Sequence, residues 1–321
     1  MGRGGGNGIA IAAFVASFAL GSGGARTACA EDVAFPLSGK MTLKASGKRY
    51  VIDGPQTLAP GSLIRVETGV RIAGLHKASL DVRGGLRIHG ASGDGRIEIE
   101  NVDFSPTVAP DNEVHFDEVN FSGCDFVTAE GASFTGGFTI ENASVGGSKF
   151  AVRIKSGYLR IMSVRMNVPC SIDCVPDKGR PPEVAIRGGT LTGLTFSGDA
   201  LATVRSVDIK GTLEAKEFAD LVVDDCNLHG TAAFRQSAER SFSKLQLLKC
   251  NLLEGSTLVF HRPAGPKTKM EKVRIDKFYF GTSSDAADLT DKQIAARIQD
   301  GADDEAVSVK AWWQYPQERP H

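Results

Sequence analysis

Arg96-Ile-Glu-Ile-Glu-Asn-Val-Asp-Phe104 is the first of nine related nine-residue phrases, and their shared pattern decides the fold. The others begin at Glu113, Gly137, Tyr158, Glu183, Leu201, Asp220, Lys244 and Lys272. Places two, four, seven and nine of each phrase are apolar or small, as in Val114, Phe116, Val119 and Phe121, or Leu245, Leu247, Cys250 and Leu252. The places between are mostly polar. Alternation of period two marks a strand, and the slip from four to seven marks a corner where the chain bends and alternation restarts. The copies start 17 to 28 residues apart, too close for independent domains. Repetition at such a period identifies a solenoid, in which each unit buries its apolar face only against its neighbours.

Neither the Asn and Leu consensus of a leucine-rich horseshoe nor a helical period of 3.6 is present. Many copies carry a third apolar group 13 or 14 residues after their start, at Phe126, Phe150, Phe196, Phe234 and Leu258. Three short strands per coil, joined by Gly-, Ser- and Asp-rich turns, predict an all-β fold. It is a right-handed, single-stranded parallel β-helix with three sides. Coils then stack about 4.8 Å apart. The stretch from Val168 to Pro182 is expected to bulge from a corner as an insertion.

Residues 1–30 read as a signal peptide: Arg3 gives a positive start, Ile9 to Leu20 an apolar run, and Ala28-Cys29-Ala30 a cleavage site. The run is too short to span a bilayer. Cys29 raises a lipoprotein, but Arg26 and Thr27 stand where a lipobox wants an apolar and a small residue. The mature chain is expected to be secreted or periplasmic, with a β-helix over 31–280 and a C-terminal helix/strand cap and tail over 281–321. Without residues 1–30, which hold Arg3 and Arg26 and no acid, 35 basic and 38 acidic residues leave a balance of −3. That argues against nucleic acid or a polybasic membrane surface as partner, and no further transmembrane candidate follows.

The opening coils run from Tyr50 to Gly90. Pro60-Gly61, Gly69-Val70 and Leu80-Asp-Val-Arg-Gly-Gly-Leu86 resemble the first coils of bacterial secreted right-handed parallel β-helix repeat proteins of pectate-lyase-like architecture. The tail is similar too: Phe278-Tyr-Phe-Gly281, a helical stretch with Ile294 and Ile298 at i, i+4, then Gln299-Asp-Gly-Ala-Asp-Asp304 and a strand at Val307-Ser-Val309. Trp312, Trp313, Tyr315 and Pro316 close it. Asp300, Asp303 and Asp304 read as a Ca²⁺ site or, more simply, as a solvated turn. The resemblance implies a broad architecture without one shared activity.

Five cysteines remain beyond residue 30. Cys226 and Cys250 fill inward place seven on consecutive rungs and read as stacked core thiols, with a disulfide between them as the weaker alternative. Cys170 and Cys174, in the insertion, are the candidate disulfide for an oxidising compartment; a zinc half-site is the weaker reading, without a second pair or nearby histidines. Cys124 reads as buried and unpaired.

Chemistry was sought first where β-helix polygalacturonases carry theirs. Arg153-Ile-Lys155, Asp224-Asp225 and Leu228-His-Gly230 are present, but the first precedes the acid pair, no Asn-Thr-Asp exists, and Leu228 replaces a glycine. The outward ladders say more. Place five runs Glu100, Asp117, Glu141, Met162, Arg187, Arg205, Asp224, Leu248, Asp276; place eight runs Asp103, Asn120, Ser144, Arg165, Thr190, Asp208, Asn227, Asn251, Tyr279. Arg187 and Arg205 would stand side by side, an arrangement that costs energy unless an anion sits between them. Arg165, Arg187 and Arg205 are therefore the candidate binding residues, and Arg187, Arg205, Asp208 and Asp224 the catalytic candidates. The plainer reading is a surface network in which the acids pair with the arginines. The six histidines lack metal-like spacing, so neither a metal nor a cofactor is expected, except Ca²⁺ if the chain is a lyase. The leading expectation is a non-catalytic scaffold that binds polysaccharide or cell-envelope components. The rivals are a polysaccharide lyase or glycoside hydrolase acting on an acidic glycan, and an adhesin. Oligomeric state stays open.

Overall fold

The computed structural model describes residues 31–175, 181–217, 220–235, 244–253, 255–261, 273–281, 291–300 and 307–313. Residues 1–30, read above as a signal peptide, and Asp303, Asp304, Tyr315 and Pro316 lie outside them. The chain is all-β, a parallel β-solenoid, and its strands fall into three ladders, one per side. The first runs from Lys40–Leu43 through Leu63–Val66, Gly85–His89, Glu113–Asp117 and Gly137–Glu141. It continues over the openings of Tyr158–Cys174 and Glu183–Gly198, then Leu201–Arg205, Asp220–Asp224, Lys244–Leu248 and Val273–Phe280. Seven of the nine phrases begin on this side, and an eighth, whose first residue is Lys272, joins it from Val273.

Between places four and seven the chain turns on a single residue. Place six is left-handed in every copy: Asn101, Glu118, Asn142, Ser163, Ser206, Asp225, Lys249 and Lys277 have φ between 49° and 57°, and Gly188 has φ 69°. One such residue re-aims the strand and resets the inward set, so the alternation slips by one. The cost, roughly 1–2 kcal/mol per non-glycine residue, is recovered by burial of the flanking places. Val119, Ala143 and Val164 stack in one buried column, which resumes beyond Gly189 with Val207, Cys226, Cys250 and Phe278. In the third ladder Phe104, Phe126 and Phe150 pair in register with ring centres 5.1 and 5.3 Å apart.

Three expectations need correction. The Arg96 phrase is one side out of phase: Ile97 pairs with Val119, Glu100 with Ser122, and Asp103 with Ser79. The rung before Asp117 is therefore His89, and Val102 belongs to the next column. Strand, corner, strand reads the same at every edge of the prism, so the pattern alone does not tell which edge is which. Second, Val168 to Cys174 is not an insertion but the end of strand Tyr158–Cys174, paired on the third ladder with Phe150–Ile154. Third, the helix stops at Ala296, and Ile298 opens a strand, Ile298–Asp300, that pairs with Leu258–His261. Among the helix's described side chains, Ile294 is the one buried against the core.

Candidate functional site

On the first side, places one, three and five face outward. Down place three the register is Arg65, Arg87, His115, Thr139, Arg160, Ala185, Thr203, Val222, Gln246, Arg274. Long side chains stand on both flanks of three short ones, and over those three the face sinks. A hollow of about 350 Å³ lies there, floored by Ala185, Thr203 and Val222 and edged by Glu183, Leu201, Asp220 and Lys244. From the Arg160 rung to the Gln246 rung is four steps, roughly 19 Å at sheet spacing.

The rung next to Glu183 and Ala185 carries a polar network. Tyr158 donates its hydroxyl to Glu113 Oε1 at 2.8 Å, two rungs back, and Arg87 Nη2 holds Glu113 Oε2 at 3.1 Å. The ring crosses the intervening rung because Gly137 is there: a Cβ at that position would lie 2.4 Å from Tyr158 Cζ and its oxygen. Arg160 places its guanidinium carbon 4.4 Å from the ring centre. Burial, with the hydrogen bond to Glu113 second, pushes the Tyr158 phenol up, so it stays a donor. Behind this network His115 Nε2 meets Glu141 Oε1 at 2.7 Å, and His89 and His115 pack edge to face at 4.8 Å.

The arginines of place five flank the trough. Arg187 and Arg205 are in register on neighbouring rungs and both exposed. Arg205 Nε shares Asp224 Oδ2 at 3.3 Å, while Asp224 Oδ1 is buried without a hydrogen bond. Arg187 and Arg165 have no ion-pair partner among the described residues. Arg165 stands on the second side, paired in register with Ser144 and Thr190.

Asp208 does not join them. It accepts from His229 Nε2 at 2.6 Å and pairs with Lys210 at 2.7 Å. Burial raises its carboxyl, but these two bonds outweigh that and hold it below the usual range. The polygalacturonase-like triplets scatter: Arg153 is on the third side, ion-paired with Asp173 at 2.8 Å, while Asp224 is on the first.

The Cys170–Cys174 bridge is also corrected. Both are free, buried thiols on one extended strand, facing Phe150 and Ile154 respectively. Four residues of strand separate their Cα atoms by about 13 Å, twice a disulfide's reach. Burial pushes Cys124 up to about 11 and Cys174 to about 12, and raises Cys170 and Cys250 too; such thiols are unreactive. Among the described residues no cluster of His, Cys, Asp or Glu could hold a metal, and no helix is long and apolar enough to cross a membrane.

Charge at places five and eight points to neither the trough nor the Tyr158 network. The available signal is at places one and three: a glycine in an outward column one rung below a tyrosine, and three small residues in succession. Compared with protein-family models, characterised sequences and solved structures, the chain has no match.

Proposed function

We propose that this chain is a non-catalytic β-solenoid that binds a polysaccharide strand lengthwise in the trough of its first side. The observation that carries this reading is the run Ala185, Thr203, Val222 between bulkier rungs. It makes a hollow of ligand-site size, elongated along the ladder, with an apolar floor for sugar-ring faces and polar edges for hydroxyls. Arg187 and Arg205, exposed alongside, serve as donors to the bound chain, and Arg165 extends the same surface round the corner. A solenoid whose backbone is locked into three ladders loses little freedom on binding.

The reading also places the mature chain outside the cytoplasm, supported by the leader-like sequence of 1–30, and among the secreted bacterial β-helix proteins that its Pro60-Gly61 and Gly69-Val70 steps resemble. Affinity electrophoresis through gels holding pectate, alginate or neutral glucans tests it. Retardation by at least one polymer, without new reducing ends or unsaturated sugars, is expected. Unchanged mobility in every gel would overturn binding, and product release would favour the lyase or hydrolase instead.

A further inference from the structure

We propose that the ligand of the trough is an acidic glycan whose sugars carry carboxylates, and that Arg160 is the residue that selects it; this rests on the trough being a polysaccharide site. Arg160 stands one rung beyond Ala185, a floor residue of the hollow. Its guanidinium lies against the Tyr158 ring, 4.4 Å from the ring centre, and that ring is fixed by its 2.8 Å bond to Glu113 over the gap at Gly137. Glu113 is already shared between Tyr158 and Arg87. Arg160 itself has no ion-pair partner among the described residues. A guanidinium stacked on a fixed aromatic face keeps its planar donor edge open and surrenders little freedom when a carboxylate docks.

Arg187, on the adjacent rung, is likewise exposed and outside any ion pair among the described residues. Its other neighbour is Arg205, so a carboxylate placed beside them relieves a like-charge contact as well as forming charge-assisted hydrogen bonds. The carboxylates that edge the hollow, Glu183 and Asp220, already hold interactions of their own. Arg160 and Arg187 are thus two exposed cations at this end with no ion pair among the described residues.

Calorimetric titration with uronate trisaccharides (galacturonate, mannuronate and guluronate) and with the same trisaccharides reduced to primary alcohols tests this. For at least one of them the acid form should bind about tenfold tighter or more at low salt, the gap shrinking as salt rises. Arg160→Gln should remove most of the gap, whereas Arg153→Gln, on the third side, should leave it, with urea midpoints checked for both. Equal binding of acid and alcohol forms overturns the anion assignment and leaves the polysaccharide reading standing. Binding of neither form, together with unchanged mobility in the gels, overturns both. A full preference retained by folded Arg160→Gln overturns the role given to Arg160.

Discussion

The Tyr158 hydroxyl reaches Glu113 Oε1 at 2.8 Å over a rung on which Gly137 leaves the ring its space. This relationship joins three consecutive rungs of the first ladder through one side chain, next to the rung on which the trough begins. Gly137→Ala puts a methyl 2.4 Å from the ring, so the ring must leave or the strand must shift. Urea unfolding should show a loss of about 1–3 kcal/mol, and Gly137→Ala should cost much less when Tyr158 is already alanine. An equal cost in both backgrounds would mean the notch is not what the glycine provides.

The five described cysteines are free and buried. In a chain that starts at Glu31, Ellman's reagent should find none of them in native buffer and all five after guanidinium unfolding without reductant. Three reactive thiols in the unfolded chain would show one disulfide and contradict the placement of Cys170 and Cys174 on a single strand.

Asp208 gives the pH test. Its folded-state value lies below 3.8 because the bonds from Lys210 and His229 outweigh burial. A carboxyl lowered on folding stabilises the fold at pH above its unfolded value, and that contribution is lost as pH falls through the folded value. The stability gap between wild type and Asp208→Asn should therefore be present at pH 5 and close progressively below about pH 4. A gap that widens on acidification would reverse the assignment.

Place six gives a backbone test. Lys249 is exposed at φ 49°, a conformation that asparagine tolerates and a β-branched residue resists. Lys249→Val should destabilise by about 1–2 kcal/mol and Lys249→Asn should be neutral or slightly stabilising. Equal effects, read by thermal unfolding, would contradict the single-residue corner.

Much of this architecture is visible in the chain because a solenoid converts sequence spacing directly into contact. Arg187 beside Arg205, and Asn227 next to Asn251, whose Nδ2 donates to Asn227 Oδ1 at 2.7 Å, are neighbours that the phrase alone brings together. The Arg96 phrase shows the limit: its pattern is correct, but the turn at Gly93–Gly95 delays it by one side, and nothing in the alternation records a side. Cys170 and Cys174 failed for a related reason, since Pro169 beside them suggested a loop, yet the strand passes through it with a register shift between Met166 and Pro169. The trough was harder to see because it is defined by what is small. Ala185, Thr203 and Val222 carry no chemistry of their own, and only the taller rungs around them make a site.

The most direct test fills the trough. Thr203 is its central floor residue and is exposed, so Thr203→Trp should occupy the hollow without disturbing the buried columns. Titration of this variant with the polysaccharide that retards the wild type should show binding lost, with the thermal unfolding midpoint unchanged. Wild-type affinity in the folded variant would contradict the account, because the ligand would then be bound somewhere other than over Ala185, Thr203 and Val222.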